Sequence, residues 1–332
     1  MPSPGEFVRS FPDPEAPPLR QPHAILAFGG WVDAGSAGTG AVRHLIASLS
    51  PRKLADIDPE EFYNFTDTRP LSSIVAPGHR AVHWPRGEFF GANLPEADTD
   101  SDLLLFVAPE PNLKWRTFAN ALLDVLQEAG ARSLLSLGSI FGAVHHRADV
   151  PLTGWATDPG LREALVKHKV SFTNYEGPTG FVTILLAEAQ ARGLPAAAIF
   201  GFAPNYIQGV PNPRVSHALL KVAASIDQLP LQLGDLDRAG RALLRQVDKL
   251  LADQPELRDQ VERMLNMMNL AEPSGSGEPE PEPEPPAPSP DLPPSGSANV
   301  ELPSGQAVVR ELEEFLKQLR ENESGPSEPS GG

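Results

Sequence analysis

Five short clusters hold the side chains of this chain most able to bind or transform something. They are residues 29–35 (Gly-Gly-Trp-Val-Asp-Ala-Gly), 109–116 (Pro-Glu-Pro-Asn-Leu-Lys-Trp-Arg), 138–146, 175–180 (Tyr-Glu-Gly-Pro-Thr-Gly) and 203–206 (Ala-Pro-Asn-Tyr). The first offers Gly30, Trp31, Asp33 and Gly35. The second offers Glu110, Asn112, Trp115 and Arg116; the fourth Glu176, Gly177 and Thr179; the last Asn205 and Tyr206. Each follows or precedes an apolar run, and together they form a candidate crevice for a ligand or a partner.

Each cluster has two readings. Gly29, Gly30 and Gly35 permit a tight turn and close helix–sheet packing. Asp33 is either a ligand group or the cap of the following helix, accepting its free N–H groups. Glu110 and Glu176 form an acid–base pair if they face each other; otherwise Pro-Glu-Pro and Glu-Gly-Pro are loop chemistry. Lys114, Trp115 and Arg116 open a helix whose first N–H groups welcome an anion. The alternative there is a solvated first turn with Trp115 packed down. Arg69, Arg116 and Arg147 are anion ligands if the fold brings them together.

Several chemistries are absent from the sequence. With no cysteine there is no thiolate nucleophile, disulfide or Cys-ligated metal. The glycine spacing is neither Gly-x-Gly-x-x-Gly nor a P-loop, and no serine lies in Gly-x-Ser-x-Gly. His145, His146 and Asp149 suggest a metal, but adjacent histidines in a strand point to opposite faces and chelate poorly. No metal, cofactor or catalytic residue is assigned.

The elements that would position the clusters are legible as apolar runs. His-Ala-Ile-Leu-Ala-Phe (23–28) reads as a buried strand entering a glycine turn, and Ala41, Val42, Leu45, Ile46 and Leu49 follow at helical spacing. The pattern recurs in strands at 102–108, 133–137 and 196–202 and helices at 114–128 and 179–192. Short β-like segments at 62–65, 80–84 and 88–92 suggest an antiparallel insertion. Helices at 213–228, 235–251 and 256–270 close the body. Strands alternating with helices predict a mixed, largely parallel α/β sheet flanked by helices. In such a sheet ligands bind outside the carboxyl ends of the strands, where the five clusters are expected.

Residues 1–22, rich in proline, read as a flexible arm, and 23–270 as one α/β domain. The composition then changes. From Glu272 onward 13 acidic and 3 basic residues give a net of −10, against −16 for the whole chain. Residues 271–304 read as a disordered acidic Pro/Glu-rich linker. Residues 305–320 form an amphipathic helix with Val308, Val309, Leu312, Phe315, Leu316 and Leu319 on one face. Residues 321–332 read as a disordered tail. No basic patch suits nucleic acid, no apolar run reaches the ~20 residues of a membrane span, and the N-terminus has no secretory pattern. A cytoplasmic protein is expected.

The ordered set Gly-Trp-Val-Asp-Ala-Gly (30–35), Ile-Asp-Pro-Glu-Glu-Phe-Tyr (57–63), Glu-Pro-Asn-Leu-Lys-Trp-Arg (110–116), Tyr-Glu-Gly-Pro-Thr-Gly (175–180) and Pro-Asn-Tyr (204–206) resembles the proteasome assembly chaperone 2 family, in its long bacterial branch. The resemblance covers about residues 23–270. It implies a fold related to purine nucleoside phosphorylases, homo-oligomers such as trimers, and protein partners including proteasome subunits. It supplies no catalytic residue. Archaeal relatives dock through a C-terminal hydrophobic–Tyr–any-residue tail; this chain ends Ser-Glu-Pro-Ser-Gly-Gly and has no such tail.

Two functions therefore compete. One is a non-enzymatic, oligomeric chaperone-like or scaffolding protein that binds proteins. The other is an enzyme or sensor for a nucleoside-like or anionic small molecule. A closed polar pocket containing Asp33, Asn112 and Glu176 favours the second; a filled crevice beside a broad apolar face favours the first.

Overall fold

A computed structural model describes residues 4–95, 99–173, 175–226 and 228–269. They belong to one compact unit, Met1–Glu272. The expected linker, amphipathic helix and tail lie outside the described residues.

The chain order is β1 (Val8–Ser10), β2 (His23–Gly29), α1 (Ala37–Leu49), β3 (Arg52–Ile57), β4 (Leu71–Ala76), β5 (His79–His83), β6 (Gly87–Ala92), β7 (Leu103–Pro109), α2 (Trp115–Glu128) and β8 (Ser133–Gly142). It continues with β9 (Leu152–Ala156), α3 (Pro159–Lys167), β10 (Ser171–Phe172), α4 (Phe181–Ala191), β11 (Ala196–Pro204), α5 (Pro213–Ile226), α6 (Gly234–Asp253) and α7 (Pro255–Asn269). Nine strands form one mixed sheet in the order β1-β3-β6-β7-β2-β8-β11-β9-β10, while β4 and β5 make a separate two-stranded ribbon. The central strands β7, β2, β8 and β11 are mutually parallel.

The apolar runs are continuous because both faces of the central strands are covered. In β7, Leu103, Leu105 and Val107 join one core with α1 and α5; Leu104, Phe106 and Ala108 join the other with α2 and α4. The second core is aromatic: Phe28, Phe106, Phe118 and Phe181 meet edge-on or tilted at 5.0–6.4 Å, an arrangement suited to ring quadrupoles.

Three expectations need correction. Residues 1–22 do not form a loose arm where they are described. Val8–Ser10 pairs antiparallel with Ala55–Ile57, and Phe7 packs edge-on against Phe62 at 5.1 Å. Arg9 donates to the buried Asp56 at 2.8 Å. The Arg20 guanidinium meets the fully buried Asp102 at 2.6 Å. The segment is anchored at Val8–Ser10 and at Arg20, while residues 11–15 between them are exposed and 14–16 turn.

Residues 62–65 are a turn, not a strand. The Pro59 carbonyl accepts from the N–H groups of Phe62 and Tyr63, and the turn drives Phe62 into the core. Burial overrides the strand preference of aromatic residues. The third strand runs on past Gly138 to Gly142, because β11 pairs with it along its whole length. Strands β1, β3, β4, β9 and β10 and helix α3 were not anticipated; they are short or carry mixed polar residues.

Candidate functional site

The carboxyl ends of β2, β7, β8 and β11 open on one edge of the sheet. Strand β3 also ends there and β6 begins there, since Ile57 lies opposite Gly87 and Glu88 opposite Val107. The whole insertion 58–86, with its β4–β5 ribbon, therefore leaves and re-enters at this edge. The N–H groups of Asn112 and Leu113 bond the Phe62 carbonyl at 2.9 and 3.0 Å, tying the insertion to the loop after β7.

Four of the five clusters reach this edge directly from a parallel strand. Residues 175–180 arrive differently, following β10 and delivering the first turn of α4. That turn is fastened by Glu110, whose Oε1 accepts from the Phe181 N–H at 2.8 Å, as an N-terminal cap does. The Glu110 N–H in turn bonds the Gly29 carbonyl at 2.6 Å. Gly180 sits beside Glu110 and Trp31. Glu176 is exposed, as is Arg116.

Asp33 holds the start of α1. Its Oδ1 accepts from the N–H groups of Gly38 and Thr39 at 2.9 and 3.1 Å, and its Oδ2 from the Thr39 hydroxyl at 2.5 Å. Burial pushes the Asp33 carboxyl above its ordinary value, against the opposing hydrogen bonds from Thr39 and Gly38. Asn112 braces the insertion, its Oδ1 accepting from the Asn64 N–H (3.0 Å) and the Thr68 hydroxyl (3.2 Å). Trp115 packs edge-on against Phe181 at 6.1 Å and donates to the Pro111 carbonyl at 2.6 Å. Thr179 donates to Thr183 within α4 at 2.5 Å. The Tyr175 hydroxyl donates to the Pro178 carbonyl at 3.0 Å, across Gly177.

One polar group of the fifth cluster, the Tyr206 hydroxyl, enters a chain that links the sheet edge to α6. The Tyr206 hydroxyl accepts from the His146 N–H and also bonds His146 Nδ1, both at 2.7 Å. His146 Nε2 meets Asp248 Oδ1 at 2.9 Å. Arg147 binds both oxygens of the same carboxylate at 2.9 and 2.8 Å. Arg147, His146 and, through its hydrogen bonds, Asp248 are thus mutually committed. The Asp248 carboxyl sits below its usual range because Arg147 and then His146 donate to it. Burial, with the neighbouring His146 and Arg147, lowers His145. The two imidazoles do not diverge as a strand would have them: they lie in a loop and stack at 4.3 Å. The Asn205 N–H bonds the Gly142 carbonyl at 3.0 Å, fixing the loop after β11.

At the centre of the edge lies an open hollow of about 240 Å³ lined by Trp31, Asp33, Phe141, Val210 and Pro211 with the glycines between them. Arg69, Arg116 and Arg147 do not line it. Its walls are mixed, with Ser36 and Asp33 beside the apolar side chains, and both oxygens of its one carboxylate are already bonded. Thirteen large apolar or aromatic side chains are exposed among the described residues. Ten of them stand on this edge or its insertion: Trp31, Leu113, Phe141, Tyr175 and Val210 on the strand ends and loops, Leu71, Ile74, Val75, Val82 and Trp84 on the insertion. Exposed apolar side chains in such number are chemically suited to an interaction surface.

Sequence reasoning missed Gly38, Thr39 and Asn212. The N–H of the buried Asn212 bonds the Gly35 carbonyl at 2.8 Å. A Cβ on Gly38 would lie 2.5 Å from the Leu137 carbonyl oxygen. The available signal was the run Ala-Gly-Thr-Gly just after Asp33, small residues where a helix start approaches a strand.

The model of the PAC2 family matches residues 27–251. A PAC2 family protein from Streptomyces avermitilis is 31% identical, with a TM-score of 0.65 over 73% of this chain and 99% of that one. A proteasome-assembly chaperone homologue from Mycobacterium tuberculosis is 30% identical, with a TM-score of 0.65 over 72% and 99%. An archaeal proteasome activator from Pyrococcus furiosus shares the fold at 18% identity, with a TM-score of 0.58 over 73% and 97%. No curated protein matches the chain.

Proposed function

The chain belongs to the PAC2 family, and from that premise we propose that it is a non-enzymatic, chaperone-like scaffold that holds protein partners on the carboxyl edge of its sheet. One observation carries the reading. At the edge where an α/β enzyme places its reactive groups, Asp33, Glu110 and Asn112 are tied up in bracing the fold. On the same edge and its insertion are ten of the thirteen large apolar or aromatic side chains exposed among the described residues. The small-molecule reading needs convergent free polar groups, and here the hollow's only carboxylate is internally bonded.

The partners follow from the relatives. The Mycobacterium tuberculosis neighbour is named as a proteasome-assembly chaperone homologue and the Pyrococcus furiosus one as a proteasome activator. Proteasome subunits are therefore the first partner class, and further copies of this chain, in a trimer, the second. No described helix is long and apolar enough to cross a membrane.

Photo-cross-linking tests the proposal. A photoreactive residue replacing Trp31 in the full chain, in its native host, is expected to trap protein subunits or sister copies. The same residue at Val166, exposed on α3, is the control. Equal or weaker trapping from position 31 overturns the reading.

A further inference from the structure

We propose that the β4–β5 ribbon is a docking strand for an acidic polypeptide segment with apolar side chains at alternate positions, which adds to the free edge of β5. The inference deepens the reading of this edge as the partner face and rests on it.

The ribbon is under-supported as it stands. Leu71 and Ser73 lie opposite His83 and Ala81 on one face; Ser72 and Ile74 lie opposite Val82 and Arg80 on the other. Only Ser73 and Ala81 are half-covered, and Leu71, Ile74, Val75 and Val82 are 71, 70, 65 and 53% exposed. A two-stranded ribbon wet on both faces is marginal in water and gains from a third strand.

The edge that is open can be read from the register. β4 is irregular between Ile74 and Ala76, which puts Val75 out of the ladder; a bulge of this kind guards an edge. β5 runs regularly from His83 to Arg80 against β4, and the nearest prolines, Pro77 and Pro85, lie outside it. Its outer N–H and C=O groups make an unguarded template. Strand addition takes affinity from that backbone and specificity from the alternating side chains.

Charge selects the occupant. From residue 68 to residue 87 the chain has Arg69, His79, Arg80, His83 and Arg86 and no Asp or Glu, in a protein of net charge −16. Arg86 is used at home on Asp56 (3.3 Å). Arg80 reaches only as far as the Ser72 hydroxyl across the ribbon (3.3 Å) and lies beside Val82 on β5. An added strand therefore meets Arg80 and Val82 on one face of β5 and Ala81 between the histidines on the other, so its acidic side chains face Arg80 and its apolar ones face Ala81. A second copy of the ribbon would bring Arg80 a further arginine and no carboxylate, since residues 68–87 contain no Asp or Glu. An anionic bilayer or nucleic acid would be repelled by the rest of the molecule.

The test is fluorescence anisotropy with the full-length protein and a fluorescein-labelled peptide alternating Glu and Val. Saturable binding is expected, weakened about tenfold or more by Arg80→Glu and less by Arg80→Gln. A Lys–Val peptide should reverse the order and prefer the Arg80→Glu protein. The Glu–Val peptide N-methylated at alternate amides should not bind. No binding, equal binding to both proteins, retained binding of the N-methylated peptide, or preference for phosphatidylglycerol vesicles each overturns the proposal. So does loss of self-association in Arg80→Glu with peptide binding unchanged, which would make a second copy the occupant. Should Arg80→Glu misfold, the Arg80→Gln protein and the N-methylated peptide still decide it. Failure here with position 31 still cross-linking leaves the partner-face reading standing; failure of both removes both.

Discussion

At the residue scale, Asp33 decides how the first cluster should be understood. Its three short bonds organise the start of α1, so truncation to Ala should cost about 1–2 kcal/mol, the range for losing a helix cap. Burial raises its folded-state pKa. A carboxyl raised in the folded state favours folding below its unfolded pKa, and that advantage is lost as pH rises through the folded value. Asp33→Asn removes this loss while keeping an acceptor for the N–H groups. Its melting temperature relative to the parent should therefore be more favourable at pH 7 than at pH 4. Thermal melts of parent, Asn and Ala proteins at both pH values check this. If Asn is as damaging as Ala at pH 7, the charge itself is needed there, which would revive a ligand role.

At the element scale, two contacts set how the edge is held. α1 starts so close to β8 that a methyl group on Gly38 would meet the Leu137 carbonyl at 2.5 Å and the Gly138 Cα at 3.0 Å. Backbone cannot yield as a side-chain tip does, so Gly38→Ala should destabilise by about 1–3 kcal/mol, as overpacking does; denaturant unfolding measures it. The other contact joins α6 to the loop after β8 through Asp248. Its folded-state pKa is depressed, chiefly by Arg147 and then His146. The stabilisation is thus present above the unfolded carboxyl value of about 3.9 and disappears as pH falls through the lower folded value. Asp248→Asn should lower the melting temperature at pH 6–7 and converge with the parent in stronger acid. A gap that stays constant down to acid would mean that packing, not charge, holds α6.

At the scale of the whole molecule, the proposed partner face predicts assembly. Light scattering at micromolar concentration should give a multiple of 35.6 kDa, three chains by the proposal. A strictly monomeric mass would remove sister copies as occupants of the face. The expected amphipathic segment with Val308, Leu312, Phe315, Leu316 and Leu319 lies outside the described residues, and we propose it as a second docking element. Leu312→Asp with Phe315→Asp should lower partner recovery or oligomer mass; no change in either would show that the stripe docks on nothing.

The chain's own pattern determined the central sheet, because strands covered on both faces must be apolar without interruption, as 103–108 are, and because helix spacing shows through in α1, α2 and α4. It also determined the ordered motifs that carry the family. It did not show β1 or the anchoring of Arg9 and Arg20, since proline-rich composition looks alike whether a segment is free or pinned by Asp56 and Asp102, which lie 47 and 82 residues away. The candidate residues were legible as a set, but their roles were not. Asp33 and Glu110 are chemically suited both to catalysis and to capping. Only the folded chain, by placing Thr39 and the Phe181 N–H against them, supplies the hydrogen bonds that support the capping reading. The apolar face proposed for partners was hidden because Trp31, Phe141 and Val210 are far apart in sequence, and one sheet edge gathers them because parallel strands end together.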